Sequence, residues 1–161
     1  MTIYSLLKAL HVIAVAIFFG NITVGIFWKA FADRTKDPRV IAHTLAGIIR
    51  ADRLFTIPAV IVLLLAGLGA AGVGHIPILS TGWVLWPVII FILTGIAFGP
   101  VSRSQRELRD IAQSAVGGTM DWQAYAAAGR RWTIFGMIAT ILPLIGIVIM
   151  VTKPVLPAFH H

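Results

Sequence analysis

The stretch LFTIPAVIVLLLAGLGAAGVGHIPILSTGWVLWPVIIFILTGIAFGPVS, residues 54–102, holds no Asp, Glu, Lys or Arg. Water-soluble domains carry charge on about a quarter of their residues, so a run this long without charge has no aqueous surface to present. Gly72, Gly74, Pro77 and Gly82 punctuate its middle. Each half is long enough to cross a hydrocarbon layer, which takes about 20 apolar residues. The stretch therefore reads as two spans, about Leu54 to Val73 and about Trp83 to Val101, joined by a short turn.

Two further windows of the same kind lie outward from it, about Ile3 to Trp28 and about Trp132 to Val151, with Pro154 and Pro157 closing the last. The chain has 161 residues, 58% of them hydrophobic and 12% charged, with a mean hydropathy of +0.93. No room is left for a separate soluble domain, and residues 1–161 read as a single integral membrane domain. The expected fold is all-α, a four-helix transmembrane bundle. Cysteine is absent, so there is no disulfide framework. Ala30-Phe31-Ala32 has the look of a signal-peptidase site, but the apolar stretch before it is too long for a signal peptide and Lys29 interrupts it. The first span is expected to be retained.

The net charge of +7 is placed with a strong bias. Lys29, Arg34, Lys36, Arg39, Arg50 and Arg53 fall in the first connection, and Arg103, Arg106, Arg109, Arg130 and Arg131 in the third. The second connection has none, and only Lys8 and Lys153 lie elsewhere. Basic loops stay cytoplasmic, so both termini are expected outside and the chain in a bacterial inner membrane. Trp28, Trp122 and Trp132 would mark the inner surface, Trp83 and Trp86 the outer one. The basic excess then sets topology and meets anionic headgroups. Nucleic-acid binding is not expected, because no basic-aromatic module is present.

The basic connections also carry helical pattern. Val40, Ile41, Leu45, Ile48 and Ile49 recur among Arg39, His43 and Arg50, which suits an amphipathic helix on the inner surface or an extension of the second span. Residues 102–115 read as a charged extension of the third span, broken by Gly117-Gly118. Thr119 is expected to cap the helix leading into span four, and Asp52 to cap span two. Gly95 and Gly99, Ala66, Ala70 and Gly74, and Ala16 and Gly20 form small-residue ladders. Packing within one chain is the favoured use of these; a face between copies is the other.

Ionisable side chains are costly inside a span, and the first span opens with two, Lys8 and His11, one turn apart. Three readings of His11 stand: an axial ligand to haem iron, a hydrogen bond to a neighbouring helix, or a step on a proton or ion path. In the first, Lys8 would meet a haem propionate, and His75, in the loop at the same end, is a candidate second ligand. Asn21 and Thr23 sit deeper in the span, where polar side chains join helices. His160 and His161 end the chain in the manner of a tag remnant. The chain has no phosphate loop, zinc spacing or hydrolase triad.

LLKALHVIAVAIFFG (6–20), RADRLFTIPAVIVLLLAGL (50–68), GPVSRSQRELRDIA (99–112) and YAAAGRRWTIFGMIATILPLIGIVIMVTKP (125–154) together resemble a family of bacterial predicted integral membrane proteins catalogued as a domain of unknown function. That likeness covers nearly the whole chain and implies no activity. The first of these stretches, a basic loop, DRLFTIPAVIVLLLAGL (52–68) and a Gly-Trp opening span three are more distantly similar to the haem-containing membrane protoporphyrinogen oxidases. Copper-resistance membrane proteins share the pattern. The oxidase likeness implies haem b on His11. It departs after Gly82-Trp83, where Val84-Leu85-Trp86-Pro87 stands in place of a lysine-bearing segment, and at NITVGIFWK (21–29), where the oxidases carry an arginine motif. The expectation is a small membrane haem protein exchanging electrons with the quinone pool or a periplasmic partner. The alternatives are a non-catalytic scaffold or subunit of a larger complex and, ranked last, a small transporter.

Overall fold

A computed structural model describes residues 2–159; His160 and His161 lie outside them. The described residues form helices and their connections, with no strand. Helix α1 runs Ile3–Thr35, α2 Pro38–Ala51, α3 Ile57–Val73, α4 Gly82–Ser114 and α5 Trp122–Thr152. A π-turn, Asp52–Thr56, joins α2 to α3, making one helix from Pro38 to Val73. Four helices are thus long and apolar enough to cross a membrane.

Local chemistry explains the ends. Thr2 caps α1 by accepting from Ser5 N, and Lys36 closes it in the left-handed region at φ 54°. Asp37 Oδ1 accepts from Arg39 N at 2.8 Å, with Pro38 opening α2. The cap of α5 is Asp121, whose Oδ1 accepts from Gln123 N and Ala124 N, and not Thr119. Asp121 wins because it satisfies two of the unpaired N–H groups of the first turn. Asp52 likewise does not cap a span. It lies inside the continuous helix, so the residues 38–50 extend the second span. The π-turn ends two residues before Pro58. A proline has no N–H for the carbonyl four residues back and crowds it; a widened turn there relieves the crowding.

The helices pack as two antiparallel pairs, α1 with α3 and α4 with α5, and α2 ties the pairs together through α1 and α4. At 33 residues, α1 and α4 are each about 50 Å long at 1.5 Å per residue. Hydrocarbon takes about 30 Å of that. The surplus gathers at the end bearing the basic residues, where Ala32, Ile41, Leu45, Leu108, Ala112, Tyr125 and Ala128 form a core of the water-soluble kind. At the opposite end lie the 74–81 connection and both described chain ends. The tail folds back there: Phe159 N donates to Leu79 O at 3.0 Å and Trp86 Nε1 to Pro157 O at 3.0 Å.

The small-residue ladders divide. On α3 a Cβ at Gly67 would strike His11, one at Gly69 would touch Leu7, and one at Gly74 would crowd Tyr4. Those glycines set the α1–α3 approach. Gly20, Gly95 and Gly99 meet nothing within 4 Å, so packing within the chain, expected of them from sequence, does not occur. Gly82 is different again, since a Cβ there would overlap the Leu156 carbonyl of the returning tail.

Gly82→Ala should therefore lower thermal stability in detergent by about 1–3 kcal/mol through overpacking. Gly95→Ala and Gly99→Ala should be neutral or stabilising by up to about 1 kcal/mol each, as for an open helical glycine. A loss of stability in the latter two would show that another chain packs on that face.

Candidate functional site

The α1 face turned to α3 follows helical spacing: Tyr4, Leu7, His11, Ala14, Phe18 and Asn21. Ala14 and Phe18 are buried on it, and its two polar members define two sites.

His11 is half-buried, and its Nδ1 lies 2.8 Å from the Leu63 carbonyl oxygen of α3. A carbonyl only accepts, so the Nδ1 proton is the donor and Nε2 keeps its lone pair. The ring reaches the α3 backbone because position 67 has no side chain: a Cβ on Gly67 would sit 2.7 Å from Nδ1 and 2.9 Å from Cε1. Nε2 has no protein partner, yet it is not sealed in, since the one buried unpartnered side-chain nitrogen or oxygen among the described residues is Trp132 Nε1.

Lys8, one turn away, is exposed and lines a shallow open groove of about 490 Å³ with Tyr4, Ser5, Ala9, Val12 and Ile13. His75 is also exposed, with its backbone in the left-handed region at φ 51°. The helix register sets it beside Tyr4, the neighbour of Gly74. Tyr4 is about 10 Å along the axis from His11 at 1.5 Å per residue. The fold thus keeps Lys8 close to His11 and does not bring His75 to it. No cluster of three or more His, Cys, Asp or Glu suited to a metal occurs among the described residues.

The second site is a knot of neutral donors around one carboxylate. Asn21 Nδ2 donates to Asp52 Oδ1 at 3.0 Å and to Thr56 Oγ1 at 2.8 Å. Thr56 Oγ1 donates to Asp52 Oδ1 at 2.9 Å, and Gln105 Nε2 to Asp52 Oδ2 at 3.0 Å. Asp52, Thr56 and Gln105 are buried. The knot joins α1, the π-turn and α4, and so links the two helix pairs at the edge of the apolar windows. Sequence reading marked Asn21 as a helix-joining residue but gave no partner. Asp52 and Thr56 are four apart, which puts them on one helix face; that was the available signal. Nothing in the sequence singles out Gln105.

A third cluster stands at the basic end. Lys29 is buried, ion-paired to Asp33 at 2.6 Å, and sits over the rings of Tyr125 and Trp132 at 5.4 and 5.0 Å. Tyr125 Oη donates to the other Asp33 oxygen at 2.5 Å. Tyr125 lies outside the apolar window of α5; burial first, then the Asp33 carboxylate, pushes its phenol well above the usual range, so it stays a donor. Thr23 bonds only its own helix, to Phe19 O at 2.8 Å.

The family model described as Predicted integral membrane protein (DUF2269) matches residues 5–154, and the chain belongs to that family. No curated protein and no solved structure matches it.

If the imidazole truly rests on the Gly67 backbone, Gly67→Ala should cost about 1–3 kcal/mol of stability in the native chain. It should cost much less in a His11→Ala background, because the clash partner is gone. Thermal unfolding of the two single variants and the double variant measures the coupling, and full additivity would place the ring elsewhere.

Proposed function

We propose that this family member is a membrane haem protein in which His11 gives an axial imidazole to haem b. It would exchange electrons with the quinone pool or a redox partner at the end where the chain begins. The basic end faces the cytoplasm of a bacterial inner membrane, following the bias of Lys and Arg. The observation that carries the reading is the state of the His11 ring. One nitrogen is tethered to a carbonyl, and the other is unpartnered and reachable within an apolar window. A ligating histidine has this arrangement: the tether fixes the tautomer and the ring plane and raises the basicity of the free nitrogen.

The residues fit such a group in part. His11 would hold the iron of such a group, and Lys8 would be the cation on hand for a carboxylate substituent. When bound, haem b supplies reversible one-electron exchange. The groove beside Lys8 is open and His11 is not among its lining residues, so lipid or a second copy would have to complete the enclosure of such a group. The Leu63 carbonyl and the bare backbone at Gly67 hold the orientation of the His11 ring. The competing reading, a scaffold in which His11 merely pins α1 to α3, rests on the same hydrogen bond.

His11→Asn separates them, because its amide retains a donor for the Leu63 carbonyl and lacks the imidazole lone pair. Protein purified in mild detergent from haem-replete cells should show a Soret band. That band should vanish in His11→Asn while thermal stability stays within about 1 kcal/mol of the native chain. A colourless native preparation, or a band unchanged in His11→Asn, refutes the haem reading.

A further inference from the structure

The charge-free run begins at Leu54 and ends at Ser102. Arg53 stands immediately before it, and Arg103 and Arg106 follow directly after. These residues therefore lie at the level where hydrocarbon gives way to lipid phosphate. Topology alone is served by lysine and arginine alike. Yet no lysine occurs between Lys36 and Lys153, and every basic residue of that interval is arginine. A guanidinium differs from an ammonium in matching two phosphate oxygens with two parallel donors.

The fold brings two of these arginines together. Asp52 of the α2–α3 composite and Gln105 of the antiparallel α4 face one another, with Gln105 Nε2 donating to Asp52 Oδ2 at 3.0 Å. The next residue on each helix is turned by about 100° from that contact. Because the helices run in opposite directions, both turns lead to the same side of the seam, and they carry Arg53 and Arg106 there. The other side is filled: Ile48 reaches Gly25 of α1, and Ser104 and Leu108 of α4 are buried. Arg53 and Arg106 are exposed. Neither takes part in the ion pairs of the described residues, which are Lys29–Asp33, Arg109–Asp110 and Arg131–Glu107. The acids of the same stretches are engaged elsewhere, Asp52 by its neutral donors, Glu107 by Arg131 and Asp110 by Arg109. Packed helices lie about 8–10 Å apart, so two extended guanidinium side chains can meet at one phosphate. Arg50 and Arg103, one turn away, are also exposed and outside those ion pairs, and they add to the positive field.

The apolar flank next to the arginines has room for a chain. Ser102, Gly99 and Gly95 continue the Arg106 face of α4 into the span at helical spacing. A Cβ at either glycine would meet nothing within 4 Å. Leu54 and Ile57 are exposed beside Arg53.

We propose that Arg53 and Arg106 clamp the phosphate of an anionic phospholipid in the leaflet at the basic end, with an acyl chain lying along the Gly95–Gly99 face. A zwitterionic headgroup is disfavoured because its ammonium meets the surrounding guanidinium groups. The site does not depend on the His11 reading.

The test uses the full chain in mild detergent, with phosphatidylglycerol or phosphatidylcholine of the same acyl chains added in steps. Native mass spectrometry reads the lipid-bound fraction, and the unfolding midpoint reads stabilisation. The native protein should retain phosphatidylglycerol in preference to phosphatidylcholine, and its midpoint should climb with the first only. Arg53→Gln with Arg106→Gln should weaken phosphatidylglycerol binding about tenfold or more, since charge-assisted bonds are lost. Arg53→Lys with Arg106→Lys keeps the charge and loses the fork, and should also bind more weakly. Arg34→Gln with Arg130→Gln removes equal charge from α1 and α5 at the same end and should leave binding unchanged. A native chain that holds both lipids equally well overturns the proposal without recourse to any variant. So does an equal loss in the Arg34 and Arg130 pair, which makes the attraction a diffuse field, or full binding by the lysine pair, which removes the clamp. A midpoint raised as much by inorganic phosphate as by phosphatidylglycerol overturns it too, because the ligand is then a free anion.

Discussion

A helix of 33 residues is about 50 Å long, and the hydrocarbon of a bilayer is about 30 Å thick. That mismatch organises this molecule. Three of the long helices and the α2–α3 composite cannot lie wholly in lipid, and their surplus length is placed at one end. There the rules of water-soluble packing return. Ile41, Leu45 and Leu108 are almost completely enclosed, and burying each such side chain is worth about 1.5–3 kcal/mol. Inside hydrocarbon the same burial gains little, because lipid tails are as apolar as leucine. The driving force for assembling the four spans therefore resides largely outside the membrane, and the apolar parts of α1 and α5 are left mostly uncovered.

Within the lipid, association has to come from close backbone approach and from polar groups. Both are concentrated on the seam between α1 and α3. Gly67, Gly69 and Gly74 present bare backbone to His11, Leu7 and Tyr4, and the two polar side chains of the seam each find a partner on the second composite helix. Asn21 does more than bridge two helices, because Asp52 also accepts from Gln105 on α4. The knot is thus one polar contact that fastens one helix pair to the other, the Tyr125–Asp33 hydrogen bond at the basic end being a second, while Phe18 and Phe91, 6.1 Å apart between ring centroids, fill the apolar gap beyond the knot.

Hydropathy made the four spans legible, since a charge-free run has one physical outcome. The helical continuation of residues 38–50 and 102–114 was legible from periodicity for the same reason: Ile41, Leu45, Ile48 and Ile49 form a stripe. What the sequence did not disclose were relations set by tertiary register. Asp52 sits before a predicted span and looks like a cap, and only the uninterrupted helix through Pro38–Val73 turns it inward. Gly95 and Gly99 carry the signature of a packed face, yet α5 meets α4 at Pro87 and Ile90, opposite Gly146, and at Ala97 and Val101, with Ala139, instead. A small-residue motif states that close approach is sterically allowed; it does not state which neighbour uses the allowance. His11 was legible as an oddity, and its partner Leu63 was not, because a backbone carbonyl leaves no mark in a sequence.

The hydrogen bond from His11 to Leu63 pins α1 to α3, and under the proposed haem reading it would orient a metal ligand as well. A free imidazole on a helix surface rotates, and ordering it on ligand binding costs conformational entropy. One already held by a carbonyl has met that cost during folding, so a ligand arriving at Nε2 finds an oriented lone pair. Pinning alone, however, does not require a second nitrogen. An amide or hydroxyl donor would hold α1 to the Leu63 carbonyl as well, with less bulk than needs a glycine opposite. The combination of an imidazole, a glycine that admits it, and an unpartnered Nε2 is what sets this position apart from Asn21 and Thr56, where the donors are used up within the protein.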